Sequence, residues 1–191
     1  MLEKFHVAEK DIIRVEEKKL RSVTKQILMT QNLSDKDASI ATDALIKADL
    51  RGVESHGVSN MLRAYLGAFK SNSLNPKPNW KVVKETPSCA TINSDNGLGI
   101  VVAPQAMEIA VEKAKKTGAG IVTMNNCGHL GMLAYHSMIA SQNDMIGTTM
   151  AACSPRMVPT YSSVRALGTN PISYSAPADK LPDFVFDAAM T

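Results

Sequence analysis

The 191-residue sequence predicts an α/β protein with a helical N-terminal arm. Three observations carry that reading. Up to about residue 80 the apolar residues recur at helical intervals. From residue 81 short apolar runs alternate with helical stretches, the succession of strand, helix and strand that marks an α/β domain. Turn signals rich in Asn, Ser, Pro and Gly separate these stretches. The expected division is a helical segment, 1–80, followed by an α/β domain, 81–191.

The elements follow in order. Ile12, Ile13, Val15, Leu20, Val23 and Ile27 form the apolar stripe of a first helix, which Asn32-Leu33 interrupts. Ser34 then stands as the N-cap of a second helix, with Asp37 as its partner three residues on. Ile40, Ala41, Ala44, Leu45 and Ala48 give that helix its buried side, ending near Leu50. A third helix is expected from about Val58 to Phe69, presenting Met61, Leu62, Tyr65, Leu66 and Phe69. Residues Ser71 to Pro78 read as a surface turn.

Short strands are expected at Lys81–Lys84 and Cys89–Ile92, and a helix from Val101 to Lys116 that Gly118-Ala119-Gly120 stops. Ile121–Met124 reads as a buried strand, Met132–Gln142 as a helix and Met145–Met150 as another strand. Ala151 to Asn170 carries Pro155 and Pro159 and little periodicity, and loops of that length inside compact domains are usually functional or disordered. Ile172–Ala176 and Phe184–Phe186 complete the alternation.

Composition removes several function classes. The net charge of +3 is small, and the basic run Lys18-Lys19-Leu20-Arg21 follows Glu16-Glu17 directly, as on a solvated helix face. Aromatic residues total 5%, too few for a platform that stacks bases, so no nucleic-acid partner is expected. No apolar stretch approaches the roughly 20 residues of a membrane span, and no signal peptide is evident. Cys89, Cys127 and Cys153 are odd in number and free of any C-x-x-C spacing, which points to reduced thiols in a cytoplasmic protein.

Chemistry concentrates at two histidines beside glycines. His56 sits in Arg51-Gly52-Val53-Glu54-Ser55-His56-Gly57, and His129 in Gly128-His129-Leu130-Gly131. Imidazole exchanges a proton near neutral pH, and glycine lets a substrate approach the backbone. His56 falls at the entrance to the third helix, where backbone N–H groups favour an anion. Arg51, Glu54 and Ser55 are placed to bind a carboxylate, orient the ring and fix its tautomer. His129 follows a strand, where reacting groups of α/β proteins gather. A structural role for each histidine stands beside the catalytic one.

Gly97-Leu98-Gly99 lies between a strand and a helix but is no dinucleotide fingerprint, since Val102 holds the place of the third glycine. A tight turn feeding a helix is the expected reading. Metal ligation by His129, His136 and Cys127 lacks an His-x-x-x-His pair or an acidic cluster, so no metal is expected. His136 is expected on a helix surface.

At these residues the chain resembles the malate/L-lactate dehydrogenase family that lies outside the Rossmann dehydrogenases. The matching segments are Ala48-Asp49-Leu50-Arg51-Gly52-Val53-Glu54-Ser55-His56-Gly57-Val58, Gly128-His129-Leu130-Gly131, Val158-Pro159, Leu167-Gly168-Thr169-Asn170-Pro171 and Phe186-Asp187-Ala188-Ala189-Met190-Thr191. The Ser-His-Gly and Gly-Thr-Asn-Pro segments together make the signal specific. The resemblance implies an α/β fold of the family's own type and an NAD- or NADP-dependent oxidoreductase of small 2-hydroxy or 2-keto acids, homodimeric at full length. It implies His129 as proton acceptor or donor and His56 as a second acid/base or substrate-binding residue. Arg51, Ser55, Asn60, Thr169 and Asn170 would bind substrate, and Cys153, Asp187, Ala188 and Ala189 would touch the nicotinamide cofactor.

Three departures from the family pattern accompany the match. Pro159-Thr160-Tyr161-Ser162-Ser163 replaces a stretch with two glycines, Asn60 replaces an arginine, and the sequence stops inside the last motif. Members are substantially longer, so the chain is expected to be an N-terminal part, inactive by itself, whose 1–80 and 81–191 portions later sequence completes. A non-catalytic small-acid-binding protein on the same scaffold is the alternative left open by the glycine changes.

Overall fold

The computed structural model describes residues 13–190, and its elements follow the expected succession. Two helices open it, α1 (Glu17–Met29) and α2 (Asp35–Leu50). A 3-10 turn (Glu54–His56) and one π-helical turn (Val58–Leu62) then lead into α3 (Arg63–Lys70). Ile12 of the expected first stripe lies outside the described residues, while Ile13 and Val15 precede α1 and are exposed. The stripe that α1 buries is rotated from the expected one. Thr24 and Leu28 face inward and Val23 is exposed, because the packed face is set by α2 alongside.

The start of α2 matches its sequence signal. Ser34 is extended, its hydroxyl accepts the Asp37 N–H at 3.1 Å, and it donates to the Asp37 carboxylate at 2.7 Å. Ser34→Ala should lower stability by about 0.5–2 kcal/mol, the usual worth of an N-cap. Chemical denaturation of the two proteins measures that difference, and equal midpoints would mean the cap contributes nothing. Ala38, Ala41, Ala44, Leu45 and Ala48 are buried along the helix. Asp43 ties three helices together, accepting from Arg21 at 2.8 Å and from the Tyr135 hydroxyl at 2.9 Å.

The second part is built on two small sheets. β1 (Lys81–Glu85) pairs antiparallel with β2 (Cys89–Asn93), and β2 pairs in parallel with β3 (Ile121–Asn125) across α4 (Gly99–Thr117). Gly118 ends α4 in the left-handed region at φ 84°, a conformation that favours glycine. α5 (Ala134–Ser141) is followed by the antiparallel β4 (Gly147–Met150), β5 (Ile172–Ala176) and β6 (Phe184–Ala188). β3 is not the buried strand its apolar sequence predicts. It is the last strand of its sheet, with Ile121 59% exposed.

Two packing features bring distant segments to one place. The main core runs from Leu28 and Leu45 through Tyr65 and Phe69 to Leu98, Ile100 and Val101, so the N-terminal helices share their interior with the start of α4. On the second sheet, the buried Ser137 hydroxyl of α5 meets Ser173 at 2.8 Å and Ser175 at 2.7 Å. Because strand residues alternate in direction, Asp187 of β6 lies on the same α5-facing side as Ser173, its partner in register. The opposite side carries Met150, Tyr174, Phe184 and Phe186, all exposed.

His136 is a correction. It is 1% exposed rather than on the helix surface, and its Nε2 donates to the Leu130 carbonyl at 2.7 Å. The polar appearance of histidine hid its packing side, which faces the core beneath the His129 loop.

Candidate active site

His56 is placed by a tight chain reversal between α2 and α3. The Asp49 carboxylate on α2 accepts the Val58 N–H at 3.0 Å, and any side chain at Gly57 would run into that carboxylate. The glycine after the histidine therefore serves a close approach to Asp49. Ser55 Oγ lies 2.8 Å from His56 Nδ1, so the neighbouring hydroxyl fixes the ring.

His129 comes from the loop between β3 and α5. Gly128 donates to the Gly97 carbonyl at 2.9 Å, and a Cβ on Gly99 would meet the backbone of Gly128 and His129. The Gly97-Leu98-Gly99 segment is thus a packing surface for the His129 loop, and Leu98 is the N-cap of α4. Gly131 holds φ 66° and turns its N–H onto His129 Nδ1 at 3.3 Å.

The two histidines meet. Their rings are stacked with centroids 5.5 Å apart and planes 15° from parallel, His56 coming from the turn before α3 and His129 from the loop after β3. Behind them stands Tyr65 of α3, whose hydroxyl is 2.9 Å from His129 Nδ1. Asp187 completes the group. Its carboxylate accepts the Ala134 N–H at 2.7 Å, at the start of α5, and its charge bears on His56.

These surroundings hold both imidazoles below their ordinary value of about 6.5. For His56 the cause is burial, opposed by Asp187. For His129 burial comes first, then the positive charges of His56 and Arg156. Burial raises the Asp187 carboxyl, and the amides of Ala134 and Leu133 and the charge of His56 pull against it. Both imidazoles are therefore biased toward the neutral form beside the Asp187 carboxyl, a set able to accept a proton and stabilise it.

The remaining expected residues lie around this centre in different ways. Arg51 caps the C-terminal end of α2, is exposed, and makes no ion pair among the described residues. Asn60 is turned inward on its own chain, its amide donating to the Glu54 carbonyl at 2.8 Å. Asn170 accepts the Cys153 N–H at 3.0 Å, and the Thr169 carbonyl accepts the Met190 N–H at 2.9 Å, so the Gly-Thr-Asn-Pro segment binds the loop and the end of β6 together. Ala188 ends β6, with Ala189 directly after it.

Ser162 stands where the resemblance expects a glycine, and it closes its own turn. Its hydroxyl donates to the Val164 carbonyl at 3.2 Å and accepts the Val164 N–H at 3.1 Å. Among the described residues no three His, Cys, Asp or Glu side chains converge as a metal site would need. No helix among them is long and apolar enough to cross a membrane.

Two participants escape the sequence reading. Tyr65 sits on a stripe that periodicity assigns to the core, yet a buried tyrosine needs a hydroxyl partner, and that need was the available signal. Arg156 lies in an aperiodic loop with nothing local to mark it. Asp187, for which the resemblance implies a cofactor role, also bears on His56 and the first turn of α5.

Known proteins share the sequence pattern and the fold. The pattern of the family described as "Malate/L-lactate dehydrogenase" matches residues 15–191. A malate dehydrogenase from Pyrococcus abyssi is 41% identical over 189 residues, which is 99% of this chain and 51% of that protein. An L-sulfolactate dehydrogenase from Methanocaldococcus jannaschii is 41% identical over 154 residues, 81% of this chain and 44% of that one. The solved structure of a malate dehydrogenase from Pyrococcus horikoshii OT3 superposes with a TM-score of 0.91 at 41% identity, covering 96% of this chain and 52% of that one. The chain spans about half the length of the curated relatives it matches. Its α/β fold is the one these enzymes share, and the chain belongs to the malate/L-lactate dehydrogenase family.

Proposed function

We propose that the protein is an NAD- or NADP-dependent oxidoreductase that moves a hydride between nicotinamide and C2 of a small 2-hydroxy or 2-keto acid. The stacked pair of His56 and His129, both held neutral beside Asp187, is the observation that carries this reading. Relatives named for malate, sulfolactate and ureidoglycolate support the substrate class.

The residues divide the work. In oxidation His129 takes the proton of the substrate hydroxyl, and in reduction it returns that proton to the carbonyl oxygen. His56, oriented by Ser55 and facing the Asp187 charge, is the second acid/base group and spreads the positive charge that forms. The substrate carboxylate is met by a guanidinium, for which Arg51, after α2, and Arg156, whose charge bears on His129, are the candidates. Asn60, its amide already bound to Glu54, supplies polarity at the rim in place of the family's arginine. Thr169 and Asn170 line the far side.

The donor set suits a nicotinamide. The two neutral imidazoles leave hydride transfer to a bound coenzyme, and His129 keeps an exposed face toward which a planar ring can come. Cys153, Asp187, Ala188 and Ala189 are the residues that would hold it, with small side chains at 188 and 189 where the ring must lie close. When bound, the nicotinamide accepts or donates the hydride at its C4. No glycine fingerprint among the described residues receives the pyrophosphate, which fits a cofactor site unlike the Rossmann type.

Homodimerisation of the full-length protein, and completion of both the 1–80 and 81–191 parts by further sequence, belong to the same proposal. The exposed apolar side of the second sheet, with Phe184 60% exposed, supports a covering element there. The three unpaired thiols support a cytoplasmic setting. Spectrophotometric turnover of NADH and NADPH by the full-length gene product with a panel of 2-keto acids tests the function. Binding of those acids without turnover would favour a small-acid-binding protein on this scaffold.

A further inference from the structure

Tyr65 is 2% exposed in the main core, and among the described residues its hydroxyl has one hydrogen-bond partner, His129 Nδ1 at 2.9 Å. The same ring nitrogen faces the Gly131 N–H at 3.3 Å. These two partners differ in kind. A backbone N–H only donates, so it suits an Nδ1 that carries no proton. A phenol hydroxyl donates or accepts by rotating about its C–O bond, so it suits Nδ1 in either state. His129 Nε2, by contrast, has no protein partner among the described residues and is the nitrogen left for substrate.

We propose that Tyr65 is a positioning residue for His129, one that fixes the ring plane and reverses its hydrogen bond as the ring changes protonation. The inference rests on His129 being the acid/base group. In the state ready for oxidation, Nδ1–H donates to Tyr65 Oη and the Nε2 lone pair faces the substrate hydroxyl. The hydroxyl proton moves to Nε2, giving an imidazolium with both nitrogens protonated, while Nδ1–H continues to donate to Tyr65. In the resting neutral ring with the proton on Nε2, the phenol turns and donates to Nδ1 beside the Gly131 amide. Tyr65 loses no proton at any point. Burial pushes its pKa up, well above neutrality, which keeps the phenol intact as a rotor. Two other groups bear electrically on the ring, His56 from the 3-10 turn and Arg156 from the 151–170 loop.

The contact also joins the two parts of the chain. Tyr65 belongs to α3 and His129 to the loop after β3, so the helical segment sets the state of an imidazole held by the α/β segment. Sequence spacing alone, 64 residues apart, gives no hint of this.

Tyr65→Phe in the full-length gene product removes the hydroxyl and keeps the ring that fills the core. Turnover should fall about 10- to 100-fold, with KM for the keto acid nearly unchanged. The acid limb of the oxidation rate profile should move to lower pH, because the imidazolium loses an acceptor while the neutral ring keeps the Gly131 donor. Nitrogen-15 NMR of the His129 ring gives a readout independent of activity. The unaltered protein should show Nδ1 hydrogen-bonded in both protonation states, and the variant should show altered Nδ1 shifts and a changed tautomer balance. Unchanged kcat, pH profile and ring shifts in a folded variant would overturn the proposal. If the variant does not fold, His129 shifts in the unaltered protein that report a free Nδ1 would overturn it equally. Absence of dehydrogenase activity in the unaltered protein would count against the proposed function, whereas the ring shifts would still decide the role of Tyr65.

Discussion

His129→Ala in the full-length gene product should cost about 10²- to 10⁴-fold in turnover, the usual contribution of a positioned acid/base group. Coenzyme affinity should be little changed, since the residues proposed to hold the nicotinamide lie on the 151–170 loop and at the end of β6. The pH dependence of the unaltered enzyme follows from the same site. Burial and the charges of His56 and Arg156 lower the His129 value, so the neutral base persists to more acid conditions than a free imidazole. The oxidation rate should therefore hold as pH falls through about 6.5 and decline only below it. Steady-state kinetics across pH for both proteins measures this. Near-normal turnover of the alanine variant would move the role to His56.

Acid should also weaken the fold, through His136. Burial pushes this imidazole down to about 4 against an ordinary value of 6.5, with the hydrogen bond to the Leu130 carbonyl opposing the shift. Between those two values the unfolded chain binds a proton that the folded chain refuses. Stability is therefore full above about 6.5 and is lost as pH falls, by about 3 kcal/mol on reaching pH 4, at about 1.4 kcal/mol per unit. Among the described residues Nδ1 has no partner, so a proton forced onto it finds no acceptor. His136→Gln, which keeps an N–H for Leu130, should remove most of that slope in urea unfolding between pH 6.5 and 4. An unchanged slope would assign the acid sensitivity to other groups. Because Leu130 directly follows His129, acid unfolding of this packing would disorder the site as well.

Much of the fold was legible because the signals were local. The Ser34 cap with Asp37, the Gly118 stop after α4 and the β5 segment Ile172–Ala176 all depend on residues near each other in sequence, and each appears where expected. What failed depends on neighbours brought by the fold. The α1 stripe rotated because α2 decides which side is covered. Ile121–Met124 has the residues of a buried strand, yet its place at the end of a sheet leaves it half in solvent. His136 reads as polar in any window and is buried only because α5 lies over the His129 loop.

The candidate site divides along the same line. His56 and His129 could be chosen from their glycine settings, and the family's motifs named most of the surrounding residues. Their stacking could not be foreseen, since 73 positions separate them and their loops are joined by packing between distant segments, the core shared by α3 and α4 and the cluster of Ala48, Val53, Met132 and Ala134. Asn60 illustrates the limit of a motif read residue by residue. The motif marks a lost arginine, whereas the structure turns the replacing amide onto the Glu54 carbonyl, and the arginine whose charge bears on His129 is Arg156 of the 151–170 loop.

Transfer of a labelled hydride tests the central claim most directly. The full-length gene product is incubated with NADH or NADPH carrying deuterium at C4 of the nicotinamide and with a panel of 2-keto acids, and the products are read by mass spectrometry. A 2-hydroxy acid with deuterium on C2 is expected from at least one coenzyme and one acid, and that product should be lost in His129→Ala. Binding of the acids with no deuterium transferred from either coenzyme, or equal transfer by the alanine variant, would contradict that claim.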